Sequence, residues 1–256
     1  MGDPIADGEL VVLLAPGRPR RLVRASRGPQ TVGDEGVVDL APVVGAPEGT
    51  ELRWAGRAYR VVRPSLEDRL AAVRRKAQIV VPKDAAALVF LTGIGDGSRV
   101  AEAGAGSGAL TVALAHFVGA RGRVHAFDRR ADFLAVARSN VTAAGFADRV
   151  DFAERDVAAA GFDLTGLDAV ILDLPEPWGV VAAADAALKV GGYLATYTPT
   201  YNQLERSARA MRDGGFGDVR SRELLERALH VGEGGTRPEF EMLGHTGFLT
   251  VGRKGG

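Results

Sequence analysis

The spacing of apolar positions changes part-way along this chain of 256 residues. Before residue 64 the apolar runs are short, as at Glu9–Leu14 and Arg57–Val62. Turn residues break them at Pro16-Gly17, Gly28-Pro29, Pro47 and Gly56. Short runs between such breaks predict a small sheet or barrel. From Gln78 onward, strand-length apolar runs alternate with longer stretches of helical period. Strands are predicted at 98–103, 122–128, 150–153, 169–174 and 192–198, and helices at 108–118, 131–144, 180–188 and 201–213. This alternation predicts an α/β fold, a mostly parallel sheet with helices on both faces. A late pair at 221–225 and 246–253 would add antiparallel strands. Between the two regimes, Pro64-Ser65-Leu66-Glu67 opens a helical stretch reaching about Lys76, with Ser65 as its cap. The expected organisation is a small β-rich domain at 1–64, a helical linker at 65–80 and a larger domain at 81–256. Leu88, Val89, Phe90 and Leu91 read as core, and Trp54 and Tyr59 as packing of the small domain.

Composition narrows the chemistry. The chain has no cysteine, which removes disulfides, thiolate metal sites and a cysteine nucleophile. The four histidines, His116, His125, His230 and His245, show no metal-ligand spacing, so no metal is expected. No run approaches the roughly 20 apolar residues of a membrane span, and the N-terminus lacks a signal-peptide pattern. A cytoplasmic location is expected. Net charge is zero, which leaves room for a local basic face but not a uniformly basic surface. Two basic clusters stand out. Arg18, Arg20, Arg21, Arg24 and Arg27 read either as a charged, solvated hairpin edge or as a phosphate-binding patch. Arg74-Arg75-Lys76 suits the electrostatics of a helix C-terminus or serves the same patch.

Residues 102–111, Glu-Ala-Gly-Ala-Gly-Ser-Gly-Ala-Leu-Thr, lie between a predicted strand and a predicted helix. Gly104, Gly106 and Gly108 allow a tight turn and close approach of backbone to a ligand. Dinucleotides and S-adenosylmethionine (SAM) both use such a loop, and Gly104-x-Gly106-x-x-Ala109 also fits the relaxed dinucleotide fingerprint. Ligands of open α/β sheets bind beyond the carboxyl ends of the strands. Asp128, Asp156 and Asp173 fall near three such ends. Asp128 is placed to hold ribose hydroxyls and Asp156 to meet an adenine amino group. Asp173-Leu174-Pro175-Glu176-Pro177-Trp178 decides for SAM, because it sets a carboxylate, a stiff turn and a flat aromatic together. Hydride transfer needs no such turn, whereas methylation of an amino-bearing flat base uses both parts.

Glu102–Thr111 together with Asp173–Trp178 resembles the SAM-dependent tRNA adenine-N1 methyltransferases that modify adenosine 58 of the T-loop. Arg63-Pro64, Asp68, Pro82-Lys83-Asp84, Tyr197, Pro199, Gln203, Arg237-Pro238 and His245-Thr246-Gly247-Phe248-Leu249 agree in order and spacing, so the resemblance spans nearly the whole chain. It implies a class I SAM-methyltransferase fold behind the small β-rich domain, and a homotetramer acting on tRNA. Glu102, Gly104, Gly106, Ser107, Gly108, Leu110, Thr111, Asp128, Arg129 and Asp156 would bind SAM. Asp173 would be the catalytic acid and a cofactor contact. Trp178, Tyr197, Gln203, Arg20 and Arg21 would meet the substrate. One position departs: the family has Tyr before Pro-Lys-Asp, where an aromatic can face the target base, and this chain has Val81. Other outcomes the sequence allows are methylation of a protein carboxylate or small molecule on the same fold, a non-catalytic RNA-binding subunit and, more distantly, a nicotinamide dehydrogenase.

Overall fold

A computed structural model describes residues 3–32, 36–232 and 234–255. Internal contacts divide the chain after Val73 into two compact units.

In the first unit, β1 (Leu10–Leu14), β2 (Arg21–Arg24), β5 (Glu51–Trp54) and β6 (Arg57–Val62) form an antiparallel sheet in the order β2-β1-β6-β5. A separate hairpin pairs β3 (Pro29–Thr31) with β4 (Val37–Asp39). Alternating positions turn Val11, Leu13, Val23, Leu52, Trp54, Tyr59 and Val61 into one core. Trp54 and Tyr59 pack there with ring centroids 5.5 Å apart, and the indole N–H donates to the Val37 carbonyl at 2.8 Å. Ser65 caps α1 (Leu66–Ala71) through a reciprocal capping box with Asp68. The helix ends at Ala71, short of the extent expected from sequence, so Arg74–Lys76 does not form its C-terminus.

The second unit carries a seven-stranded sheet in the order β12-β15-β11-β10-β7-β8-β9. The strands are β7 (Arg99–Ala103), β8 (Arg123–Asp128), β9 (Val150–Glu154), β10 (Leu167–Leu172), β11 (Leu188–Thr198), β12 (Phe216–Glu223) and β15 (Phe248–Lys254). β9, β8, β7, β10 and β11 run parallel, and β15 is antiparallel to both β11 and β12. The helices are α2 (Pro82–Thr92), α3 (Ala109–Phe117), α4 (Ala131–Ala143), α5 (Val157–Ala160), α6 (Val181–Ala187) and α7 (Tyr201–Asp213). β13 (Leu229–Gly232) and β14 (Gly235–Pro238) form a hairpin outside the sheet. The central strands are buried on both faces, which is why Val170, Ile171 and Leu172 read as a continuous apolar run.

The sequence assigns no element to 82–92, and one expectation about this stretch is corrected. Pro82–Thr92 is a helix, with Pro82 in its first turn, and Phe90 is 83 % exposed while Leu88 and Val89 are buried. Phe90 therefore does not belong to the core. The chain reverses its strand order between β7 and β10, and the cleft described next lies at that switch point.

Candidate active site

β7 delivers the loop. Its last residues feed Gly104, whose φ of +89° takes the chain out of the strand. A Cβ built at Gly104 would lie 2.0 Å from the carbonyl oxygen of Asp173. Only glycine allows the loop and the end of β10 to approach so closely. The two strand ends are also joined directly, the Asp173 N–H donating to the Ala103 carbonyl at 2.9 Å. Gly108 opens α3 at φ +79°, and a Cβ there would lie 2.9 Å from Cα of Ala137 on α4. This glycine serves helix packing rather than the cleft.

Asp128 closes β8 and holds the loop from the other side. Its Oδ2 accepts from the Gly106 N–H at 3.1 Å and its Oδ1 from the Arg130 N–H at 3.0 Å. Beneath the loop, Glu102 is buried, and Thr111 Oγ1 donates to its Oε2 at 2.6 Å. Burial pushes the Glu102 carboxyl up to about 8, against the Thr111 bond and helped by the charges of Asp173 and Asp128. Asp173 is half-buried, and its carboxyl is pushed up to about 7, first by burial and then by Asp128. Three carboxyl groups thus crowd one end of the sheet, where a cationic ligand would expel protons on binding.

A cleft of about 540 Å³ opens over these strand ends. It brings together Gly104, Asp128, Arg129, Asp156 and Asp173. Asp156 also caps α5, its Oδ1 accepting from the Ala158 N–H at 3.0 Å. Phe127, Val157, Leu174 and Val180 give the cleft an apolar wall, and Arg130, Arg155, Pro175 and Glu176 complete its rim. Phe127, Val157, Val180, Arg130 and Arg155 do not stand out in the sequence, whereas Leu174, Pro175 and Glu176 belong to the turn it marks. Phe127 and Leu174 are the chain neighbours of Asp128 and Asp173, and that adjacency is the signal that could have found them. The residues fit SAM: acids face a cationic ligand, and a flat apolar wall suits adenine. The loop also leaves open space, since a Cβ placed on Gly106 would have no atom nearer than 3.8 Å.

Other predicted residues lie elsewhere. Leu110 is buried. Ser107 is buried, and its Oγ accepts from the Lys76 N–H at 2.9 Å. Gln203 donates from Nε2 to the Pro175 carbonyl at 2.9 Å, so it braces the Asp173–Trp178 turn. Trp178 is half-buried, with the Arg206 guanidinium 5.2 Å above its ring. Tyr197 is only 6 % exposed and its hydroxyl donates to Asp84 Oδ2 at 3.1 Å. Burial raises its phenol pKa further above the usual range. Its ring lies so close to Gly247 that a Cβ there would approach within 2.4 Å. Tyr197 is framework, not a free stacking platform. Fully buried Asp84 also accepts from Lys83 Nζ and Thr246 Oγ1, each at 2.6 Å, tying α2 to β11 and to the segment before β15. His245 meets acceptors at both ring nitrogens, Glu223 Oε1 at 2.7 Å and the Pro199 carbonyl at 2.8 Å. The Glu223 bond, then the Pro199 bond, raises its pKa, which suits a structural clip.

In the first unit Arg20 is engaged by Glu67 and Asp68, each at 2.9 Å. Arg21 lies on β2, opposite Leu13. Val81 precedes α2 as its N-cap residue and makes no side-chain cap bond.

Comparison with known proteins assigns the arrangement. A family model described as the tRNA methyltransferase complex GCD14 subunit matches residues 59–235. The chain belongs to this tRNA methyltransferase family. A relative from Methanocaldococcus jannaschii, named tRNA (adenine(57)-N(1)/adenine(58)-N(1))-methyltransferase TrmI, is 34 % identical over 246 residues, covering 86 % of each chain. The tRNA (adenine(58)-N(1))-methyltransferase TrmI of Thermus thermophilus is 37 % identical, covering 81 % of this chain and 82 % of its own. Among solved structures, TrmI of Aquifex aeolicus superposes with a TM-score of 0.77 at 27 % identity, over 98 % of this chain and 99 % of that one. A Thermotoga maritima structure described as a SAM-dependent O-methyltransferase superposes with a TM-score of 0.84 at 31 % identity, over 99 % and 96 %. The family members share a class I SAM-methyltransferase fold, and the chain is a SAM-dependent methyltransferase of that fold.

Proposed function

We propose that this protein transfers a methyl group from SAM to N1 of adenosine 58 in the tRNA T-loop, with Asp173 as the catalytic residue. The observation that carries this reading is the half-buried Asp173 carboxyl, pushed up to about 7, at the mouth of an acid-lined cleft and fixed to the glycine loop through backbone contacts. Asp128 would hold the ribose, Asp156 the adenine end, and Glu102 the loop beneath. SAM supplies an electrophilic methyl on a positively charged sulfur. Asp173, as carboxylate, accepts a hydrogen bond from the exocyclic amino group of the target adenine. That bond strengthens as N1 becomes alkylated and positive charge spreads over the ring, so it acts mainly on the transition state. Exposing the base costs a few kcal/mol of unstacking. Trp178, just beyond the turn that follows Asp173, would compensate that loss, since Tyr197 is committed to Asp84 and Val81 lacks a ring.

The protein is further proposed to act in the cytoplasm as a homotetramer. No helix among the described residues is long and apolar enough to cross a membrane. Exposed Leu229, Val231, Phe240 and Leu243, on and beside the β13–β14 hairpin, supply apolar surface for contacts between copies.

Nucleoside mass spectrometry of unmodified tRNA incubated with SAM and protein tests the reaction. A 1-methyladenosine product mapping to the T-loop, lost with Asp173→Ala while SAM still binds, is the expected result. Equal losses of turnover and SAM affinity would leave Asp173 a binding residue only. A second reading, methyl transfer to an oxygen, is favoured by the description of the Thermotoga structure. Methyl transfer to protein or small molecules without tRNA would establish it.

A further inference from the structure

We propose that the exposed face of α7 is a track for the tRNA phosphate backbone leading away from the cleft, an inference that rests on the tRNA reading above. α7 buries Ser207, Ala208 and Met211. Its outer face carries Arg206, Arg209 and Arg212, all exposed. Residues three apart on a helix advance about 4.5 Å along its axis, so the arginines form a slowly winding ridge. Arg209 and Arg212 line a hollow of about 470 Å³ against Ser221 of β12, and Arg206 and Arg209 line another of about 290 Å³ with Asn202.

Two observations point to phosphate. First, the guanidinium groups of Arg209 and Arg212 have no carboxylate partner among the described residues. By contrast Arg20, Arg63, Arg121 and Arg123 are each bound to acids. The basic cluster conspicuous in the sequence is thus partly neutralised within its own unit, while the α7 ridge keeps unused donors suited to bidentate phosphate contacts. Second, the ridge begins at the cleft. Gln203 bonds the Pro175 carbonyl, and Arg206 stacks on Trp178 of the turn that follows Asp173. Pro175 itself lines the cleft. A nucleotide presented to Asp173 would bring neighbouring phosphates past this helix. Glu205, the one acid lining both hollows, opposes them and limits affinity.

The test uses the double variant Arg209→Ala/Arg212→Ala in the whole chain and binding of unmodified tRNA across about 50 to 200 mM salt. Removing one phosphate-binding arginine should reduce the slope of log K against log salt by roughly 0.7–0.9, so the double variant should show a slope smaller by about 1.5. KM for tRNA should rise about tenfold or more, with kcat at saturating tRNA and SAM affinity unchanged. Glu205→Gln should tighten tRNA binding, an effect that loss of folding cannot mimic. An unchanged slope and KM overturn the track, as does a double variant that loses poly-glutamate binding while keeping its tRNA slope. The reaction is judged separately from wild-type product. Absence of 1-methyladenosine with a reduced slope removes the reaction and keeps the track, whereas product with an unchanged slope does the reverse.

Discussion

Replacing Glu102 by Gln should change how stability depends on pH, and the direction follows from the site. The Glu102 carboxyl has its ordinary value of 4.5 when exposed and is pushed up to about 8 when folded, chiefly by burial. Between these values the folded protein keeps a proton that the unfolded chain has released. Stability is therefore fully present below about pH 4.5, falls as pH rises, and levels off above about 8. At about 1.4 kcal/mol per pH unit, the wild type loses up to roughly 5 kcal/mol across this window. Asp173 adds a similar loss that ends near pH 7. Gln cannot ionise and still offers an oxygen to Thr111 Oγ1. Urea unfolding at intervals from about pH 5 to 8.5 should show the wild type losing stability above pH 7 more steeply than Glu102→Gln, whose remaining slope comes from His245, also raised in the fold. Parallel curves for the two proteins would mean that Glu102 is ionised in the fold and that its burial has been offset by a partner.

The same crowding predicts kinetics: kcat/KM should rise with pH through about 7 as Asp173 ionises in the free enzyme, and a profile kept unchanged by Asp173→Asn would refute its role. Gly104→Ala should sharply weaken SAM binding in calorimetry, because its Cβ meets the Asp173 carbonyl at 2.0 Å and its positive φ alone costs about 1–2 kcal/mol; wild-type affinity would show that the loop yields freely. Lys83→Met should destabilise by about 3–5 kcal/mol by stranding the buried Asp84 charge, and Tyr197→Phe by about 1–3 kcal/mol. Thermal melts showing both below about half a kcal/mol would mean that water replaces the lost donors.

The parallel sheet is legible in the sequence because its strands are short apolar runs that alternate with longer stretches of helical length. α7 is expected at its observed bounds, since charged and apolar residues alternate there with helical period. α2 is not, because Leu88, Val89, Phe90 and Leu91 are apolar all round, although Phe90 faces outward. β10 starts two residues before its expected beginning. Asp168 looks like a loop residue, but inside the strand it accepts from the Arg99 N–H at 2.7 Å and pairs with Lys189. At the site, acids at strand ends are readable one by one. What sequence does not supply is direction: Gly108 and Ser107 turn inward, Tyr197 lies under Gly247, and Arg20 is held by Glu67 and Asp68. Each of these depends on residues far away in the chain.

The contact between Gly104 and the Asp173 carbonyl makes the donor loop and the acid one mechanical piece. Their separation is set by main chain, and only a replacement at Gly104 itself would disturb it. The outer surfaces, Val81, Trp178 and the α7 ridge, are free of that coupling. A lineage could therefore change which nucleic acid or neighbouring adenosine it accepts by altering the periphery, while the chemistry is inherited as an intact unit.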